Sequence, residues 1–322
     1  MNEASSKFVD KIATEKLLSE KLNQVHHQPD PAWQKFDTTL SVLPSFDGVL
    51  PDVREQKKAD HVVIQFSSAV RTGYRENDLA TCLYFPGHNA TGEVIFVHGL
   101  YEDNRDIYKF FISQLNNKGL DVYALTLPFH YERKPAASRF SGEFYFSGDA
   151  YRNTVAFKQA VTDVAQFYHF VKKKNGRHVW LTGFSMGGGV GLTVCGLLDI
   201  DGLFAINPVC NIADLIWTSA LFAPVKKNLS AAGFDQQDIA ELYGEFEPLN
   251  FRSPKTVAQR VVLGTGLYDQ INDPKNYRLL QETWHLGNTI QYKAGHLNIL
   301  RVPKLAHDVA RFYFNGTQDE LL

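Results

Sequence analysis

The sequence is poor in the features that mark secreted, membrane-spanning and nucleic-acid-binding proteins. Cysteine is scarce: the 322 residues include three, and three is an odd number. They lie in apolar surroundings, which predicts free thiols in a reducing compartment rather than a disulfide framework. No stretch reaches the roughly 18 consecutive apolar residues that a membrane span needs. The formal net charge of −2 offers no basic surface for nucleic acid. The three cysteines are Cys82, Cys195 and Cys210.

Signals for targeting and for metal binding are missing as well. The opening stretch, MNEASSKFVDKIATEKLLSEKL, is charged throughout and has no apolar run, so we predict no secretory signal and expect a cytoplasmic protein. No C-x-x-C pair and no His/Cys cluster has the spacing of a metal site, so neither a metal nor a cofactor is expected. With 44% hydrophobic and 21% charged residues, the composition is that of a globular domain.

From about residue 60 short apolar runs alternate with helical patterns. Buried strands that alternate with helices predict an α/β fold with a mostly parallel sheet covered on both faces. We therefore expect an N-terminal arm over residues 1–58 and the main domain over 59–322. Two stretches interrupt the alternation, at about 128–147 and 208–259. Each follows the carboxyl end of a strand, where ligand sites in such sheets are built.

The glycine-rich stretch GFSMGGG, residues 183–189, follows the strand HVWLT and precedes a helix. It does not match the glycine pattern of a dinucleotide site or of a P-loop. It does match G-x-S-x-G, in which a serine is forced into a sharp strand-to-helix turn that exposes its hydroxyl. The glycines make room for that turn, so the stretch predicts Ser185 as a nucleophile.

A serine hydroxyl needs an adjacent base, and the base needs an acid that orients it. In the chain order Ser, acid, His, Asp269 follows the strand VVLGTG and His296 follows the strand TIQYKA. These are the predicted partners of Ser185. Asp273 and Asp214 are alternatives for the acid, although Asp273 precedes a proline and resembles a helix N-cap.

A serine nucleophile also needs N–H donors for the oxyanion that forms during acyl transfer. One candidate is the N–H of Met186, at the start of the helix after the serine. The second is expected after the strand that ends at His98-Gly99, from Leu100 or, less favourably, from Tyr101.

Together these residues resemble the α/β-hydrolase superfamily. The resemblance spans about residues 60–316 and implies an eight-stranded, mostly parallel sheet with residues 208–259 as a cap over the site. The motifs that carry it are the H-G loop at 98–99, the G-F-S-M-G-G turn at 183–188, Asp269 in GLYDQIND, and Gly295-His296.

The resemblance and the triad predict a serine hydrolase that cleaves ester or thioester bonds of small molecules. Acyltransferases and thioesterases use the same groups, so these activities stay open. A non-catalytic binding module is the alternative from another class.

The stretch NIADLIWTSALFAPV, residues 211–225, has a broader apolar surface than one helix face requires. It either packs onto the domain or roofs an apolar acyl pocket that favours short to medium uncharged acyl chains. For the second case we expect Trp217 and Phe222 in the pocket, with His130 and Phe144 from the earlier insertion.

Overall fold

The computed structural model describes residues 2–40, 43 and 46–316, and its centre is one mixed sheet. The spatial order of the strands is β1-β2-β3-β5-β4-β6-β7-β8-β9. Strands β1, β2, β3 and β5 pair antiparallel, and all pairs from β5 to β9 are parallel. The strands are β1 Arg54–Lys57, β2 Val62–Ser67, β3 Leu79–Phe85, β4 Gly92–Val97, β5 Leu120–Leu125, β6 Val179–Phe184, β7 Gly202–Ile206, β8 Val261–Gly266 and β9 Asn288–Tyr292.

The central strands are buried along their whole length, which explains why they read as continuous apolar runs rather than alternating ones. The predicted mostly parallel sheet is confirmed. It has one strand more than the eight that the resemblance implies, because β1 lies in the segment expected to be an arm. All four residues of β1, REQK, are exposed, so no apolar pattern marks this strand.

Helices cover both faces of the sheet. On one face α3 and α4 share a large apolar core with α8, and on the other α2 packs against α9. The helices are α1 Glu3–Glu20, α2 Asp106–Asn116, α3 Ala150–Asn175, α4 Met186–Leu197, α5 Ile212–Thr218, α6 Ala223–Ala231, α7 Gln236–Leu242, α8 Pro274–Trp284 and α9 Pro303–Gly316. Among the described residues no helix is long and apolar enough to cross a membrane.

The two insertions have different structures. Residues 128–147 form a compact loop with one short 3₁₀ turn, and all its phenylalanine side chains are buried. Residues 208–259 contain α5, α6 and α7, which join β7 to β8. The helix α5 begins directly beyond the carboxyl end of β7, next to the end of β6 where Ser185 lies.

Candidate active site

Ser185 sits in a strained turn between β6 and α4. Its φ of 54° and ψ of −118° lie outside the regions that a side chain normally tolerates. The turn depends on close backbone approach: a Cβ at Gly183 would lie 2.3 Å from the Gly187 carbonyl oxygen, and one at Gly187 would lie 2.3 Å from the Val97 carbonyl oxygen. The glycines on both sides of Ser185 are therefore required by the geometry of the turn.

The structure brings the three predicted side chains into one hydrogen-bonded series. His296 Nε2 lies 2.9 Å from Ser185 Oγ, and His296 Nδ1 lies 2.8 Å from Asp269 Oδ2. All three residues are buried. In this arrangement the imidazole can accept the serine proton at one nitrogen while the carboxylate fixes the other.

The Asp269 carboxylate is itself held by its surroundings. Its Oδ1 accepts from the N–H groups of Ile271 at 2.7 Å and Asn272 at 3.1 Å, and the Tyr277 hydroxyl donates to Oδ2 at 3.2 Å. These donors leave Oδ2 directed at His296. The orientation of the acid is therefore set by two backbone groups and one phenol.

The two alternative acids have other partners. Asp273 caps α8 by accepting from Lys275 N at 2.8 Å, with Pro274 at the first helical position. Asp214 lies in the first turn of α5, where Lys275 Nζ donates at 2.9 Å and Asn276 Nδ2 at 2.8 Å. Both carboxylates are engaged away from His296.

Opposing effects act on the protonation of His296. Burial favours the neutral imidazole, but the Asp269 carboxylate, through its charge and its hydrogen bond, outweighs burial. Asp10 and Glu102 add in the same direction, so the pKa of His296 is raised from its usual value. A raised pKa makes the ring a stronger proton acceptor in its neutral form.

Two backbone N–H groups beside Ser185 are candidate donors to an oxyanion. Those of Leu100 and Met186 make no hydrogen bond to any described residue, and Met186 is the first residue of α4, where the helix dipole is positive. The N–H of Tyr101 is instead directed to His130 Nε2, 3.4 Å away. This contact favours Leu100 over Tyr101 as the second donor.

His130 and His98 support this loop as neutral rings. His130 Nδ1 lies 2.8 Å from the Pro128 carbonyl oxygen, which leaves Nε2 free to accept from Tyr101. Burial is the main cause that lowers the pKa of His130 to about 3. Burial likewise places the pKa of His98 well below its usual value, and His98 Nε2 accepts from Leu127 N at 3.0 Å.

Ser185 and His296 open into a cavity of about 50 Å³. Of the four side chains expected around a substrate, Phe222 lies in its wall. Trp217 is two positions from Leu215 on α5, about 200° around the helix, and is half-buried outside the wall. The other wall residues from the cap and the neighbouring loops are Leu100, Tyr101, Glu102, Val209, Leu215, Leu221, Ile271, Asn272 and Leu297.

His130 and Phe144 also lie outside this wall. Both are buried in an aromatic cluster behind the Tyr101 loop, in which Phe144 contacts Phe129 and Tyr74, and His130 contacts Tyr145. The insertion 128–147 therefore supports the loop from behind and does not line the cavity with these two side chains.

Sequence reasoning missed two groups that hold the His296 loop. Asn207, after β7, donates to the His296 carbonyl oxygen at 3.1 Å and accepts from Gly266 N at 2.6 Å. Asp10, on α1, accepts from the backbone N–H of His296 at 2.7 Å. The Asn-Pro pair after a strand was a usable signal for the first; nothing local to Asp10 indicates its contact.

The described residues contain no group of three His, Cys, Asp or Glu side chains that could hold a metal ion. The three cysteines are buried and unpaired, and burial raises the pKa of each thiol.

Comparisons with known proteins agree with this architecture. A family model described as serine aminopeptidase, S33, matches residues 88–237. The acetyl xylan esterase 1 from Thermoanaerobacterium sp. JW/SL YS485 superposes with a TM-score of 0.61 at 17% identity, covering 91% of this chain and 98% of that one.

Two further solved structures share the fold. An esterase of Pyrococcus furiosus gives a TM-score of 0.52 at 15% identity, over 81% of this chain and 97% of that one. A soluble variant of monoglyceride lipase from Saccharomyces cerevisiae gives a TM-score of 0.51 at 14% identity, over 85% of this chain and 97% of that one. No curated protein matches the sequence. The sheet, the turn at Ser185 and these solved structures show that the chain has the α/β-hydrolase fold, and the serine aminopeptidase model is similar to residues 88–237 of it.

Proposed function

We propose that this chain is a serine hydrolase that cleaves carboxylic ester or thioester bonds through an acyl-enzyme on Ser185. The observation that carries the proposal is the buried series from Ser185 Oγ through His296 to Asp269, with contacts of 2.9 and 2.8 Å. Both distances lie within the reach that nucleophile and general-base catalysis require.

The reaction runs in two halves. Ser185 Oγ bonds to the carbonyl carbon while His296 Nε2 takes the hydroxyl proton, and the N–H groups of Leu100 and Met186 hold the oxyanion. The bond to the alcohol or thiol breaks, and His296 returns the proton to that leaving group. Water then attacks the acyl carbon, gives a proton to His296, and the acid leaves as Ser185 regains its hydrogen. Throughout, Asp269 keeps the imidazole in one tautomer and stabilises its charged form.

The cavity indicates the class of acyl group. Its wall is mostly apolar: Leu100, Leu215, Leu221 and Phe222 lie in it, beside the polar residues Glu102 and Asn272. Such a surface favours an uncharged acyl chain over a charged one. A volume of about 50 Å³ holds a few water molecules, which suits a short acyl group first and a medium one after adjustment of the wall.

The test is covalent labelling of Ser185 by a fluorophosphonate, followed by nitrophenyl ester kinetics. We expect the wild type and Ser230→Ala, which alters an exposed serine on α6, to be labelled and to release nitrophenol in a burst. We expect Ser185→Ala to remain folded but to be unlabelled and inactive. A folded wild type that takes up no label would identify a binding module and reject the proposal.

The substrate panel separates the related activities. Thioesters and added alcohol acceptors test thioesterase and acyltransferase activity, because both use the same acyl-enzyme. An aminoacyl nitroanilide is included because the matching family model is described as a serine aminopeptidase. We expect the highest kcat/KM on short uncharged esters; a preference for the anilide would replace the ester assignment.

A further inference from the structure

The N-terminal helix α1 covers the candidate site. Ala13, Thr14 and Leu17 of α1 form part of the wall of the same cavity that Ser185 and His296 open into. Ligand pockets for whole small molecules commonly occupy about 300–1,000 Å³. The cavity at Ser185, about 50 Å³, is smaller than this range, and α1 supplies part of its wall.

The docked face of α1 is polar in its first half and partly apolar in its second. Ser6 and Asp10 are fully buried, and Ala13 and Leu17 follow on the same face, whereas Phe8 and Ile12 are 63% and 46% exposed. The hydrophobic effect therefore accounts for the docking of the second half of the helix but not for the burial of Asp10. Burying a carboxylate is costly unless it is hydrogen-bonded, so the contacts of Asp10 decide whether this helix can dock.

The Asp10 carboxylate binds the backbone of the loop that carries His296. Its Oδ2 accepts from His296 N at 2.7 Å and from Gln270 N at 3.3 Å, and its Oδ1 accepts from Leu297 N at 3.1 Å. Because both oxygens accept, the ionised carboxylate is the form that fits. A Cβ at position 295 would lie 2.6 Å from Asp10 Oδ2, so Gly295 leaves the space that this contact needs.

Further contacts fix α1 on either side of Asp10. Asn298, on the His296 loop, donates from Nδ2 to Ser6 Oγ at 3.2 Å. Beyond the end of the helix, Lys21 Nζ donates to the Tyr101 carbonyl oxygen at 2.6 Å and pairs with Asp103 at 2.6 Å. The segment thus bridges the loop that holds the base and the loop that offers an oxyanion donor.

We propose that α1 is a lid over the active site and that Asp10 is a positioning residue, whose carboxylate holds the His296 backbone in its reactive place when the lid is closed. This proposal rests on the proposed hydrolase function. It goes beyond that function because it makes productive geometry depend on a helix outside the matched family region. Closure over a substrate then completes the catalytic arrangement.

Asp10 also contributes charge near His296. The charged groups that face the imidazole are Asp269 from the loop after β8, Asp10 from α1 and Glu102 from the loop after β4. Removing the Asp10 charge lowers the pKa of His296. kcat/KM falls at low pH because His296 becomes protonated, and we call this fall the acid limb. In Asp10→Asn the acid limb therefore moves to lower pH. A purely structural loss would leave that limb in place.

The kinetic experiment compares Asp10→Asn, Asp10→Glu and Glu15→Gln with the wild type, using nitrophenyl acetate. We expect Asp10→Asn to lower kcat roughly 10- to 100-fold with KM changed less than about threefold, since a misplacement near 1 Å costs about that much. Glu15→Gln removes an exposed carboxylate from the same helix, and we expect it to stay within about threefold of wild type. Asp10→Glu keeps the charge, so its acid limb should stay at the wild-type pH.

A second readout does not depend on turnover. Proton NMR of the low-field Nδ1–H between His296 and Asp269 follows the His296 titration directly, and we expect a lower pKa in Asp10→Asn. If the wild type shows no ester hydrolysis, the proposed function fails while this measurement still tests the Asp10 contact.

Two results would overturn the proposal. The first is an Asp10→Asn protein with wild-type kcat and an unchanged His296 pKa. If Asp10→Asn does not fold, Asp10→Glu is the test instead: its longer side chain displaces the loop, so kcat should fall at least about tenfold while the acid limb stays at the wild-type pH. The second overturning result is wild-type kcat in a folded Asp10→Glu, which would reject the positioning role.

Discussion

At the scale of the single residue, Ser185 has a strained backbone conformation that lowers local stability. A non-glycine residue at a φ of 54° costs of order 1–3 kcal/mol and persists only where its neighbours hold it. Ser185 N donates to the Ile206 carbonyl oxygen at 2.9 Å, and the Ser185 carbonyl oxygen accepts from Gly189 N and Val209 N, both at 3.1 Å. The strain is thus retained by bonds to β7, to α4 and to the segment after β7.

The acid can be assigned by substitution. Asp269→Asn should lower kcat about 10⁴-fold, because the amide favours the wrong imidazole tautomer, as in the serine-protease case. Asp273→Asn and Asp214→Asn should retain kcat, since both carboxylates bind residues of α8 and not His296. Ester kinetics on folded variants measure this. If Asp269→Asn keeps a near wild-type kcat while Asp273→Asn or Asp214→Asn loses activity, the catalytic acid is that other aspartate and not Asp269.

The meeting of Ser185, His296 and Asp269 could be predicted because each follows a strand end within a short recognisable stretch. The contacts that position them could not. Asp10 and His296 are 286 positions apart, and no local pattern links them. His130 was expected to face a ligand, whereas its ring accepts from Tyr101 N in the interior. Such roles depend on which distant backbone groups the fold brings within reach.

At the scale of the element, apolar pattern predicts burial well for the central strands and poorly at the margins. The strand β1 is polar and exposed, and it is defined by backbone pairing with β2. In α1 the apolar side chains Phe8 and Ile12 face outward while Asp10 is buried. Both elements belong to the segment 1–58, where the contacts rather than the sequence pattern decide the placement.

The cap can be tested through the 3₁₀ turn that follows α5. Phe222 is buried in the cavity wall and contacts Phe146 and Tyr101. Phe222→Ala should open the wall and raise the ratio of kcat/KM for longer over shorter nitrophenyl esters. The expected gain is about fourfold for each methylene accommodated, from roughly 0.8 kcal/mol per CH₂. Trp217→Ala is the matched control and should leave the ratio unchanged. If both variants give the same ratio, Phe222 does not line the acyl site.

At the scale of the whole molecule, one buried ion pair joins parts that are distant in the chain. Arg133, from the insertion 128–147, donates to Asp163 of α3 at 2.8 Å, and both side chains are almost fully buried. The same guanidinium donates to the carbonyl oxygens of Asn77 at 2.7 Å and Thr126 at 2.8 Å. This one side chain therefore ties the insertion to α3 and to the segments beside β3 and β5.

Removing that guanidinium should destabilise the domain as a unit. Arg133→Met leaves the Asp163 carboxylate buried without its cation, and the free energy of unfolding should fall by about 3–5 kcal/mol. Lys174→Met removes an exposed pair with Glu55 and should change it by less than about 1 kcal/mol. Urea unfolding of the two variants compares them. If both variants lose the same free energy of unfolding, the buried pair stabilises the domain no more than the exposed pair does.

The docking of α1 has a consequence for the order of folding. The N–H groups that receive Asp10 belong to His296 and Leu297, 286 and 287 positions further along the chain. Contacts between distant residues carry a loop-closure cost and form late. Until β9 and the loop after it are in place, a buried Asp10 would have no partner. The helix therefore docks after the sheet has formed, and during synthesis the chamber around Ser185 closes only once residues 296 and 297 have left the ribosome.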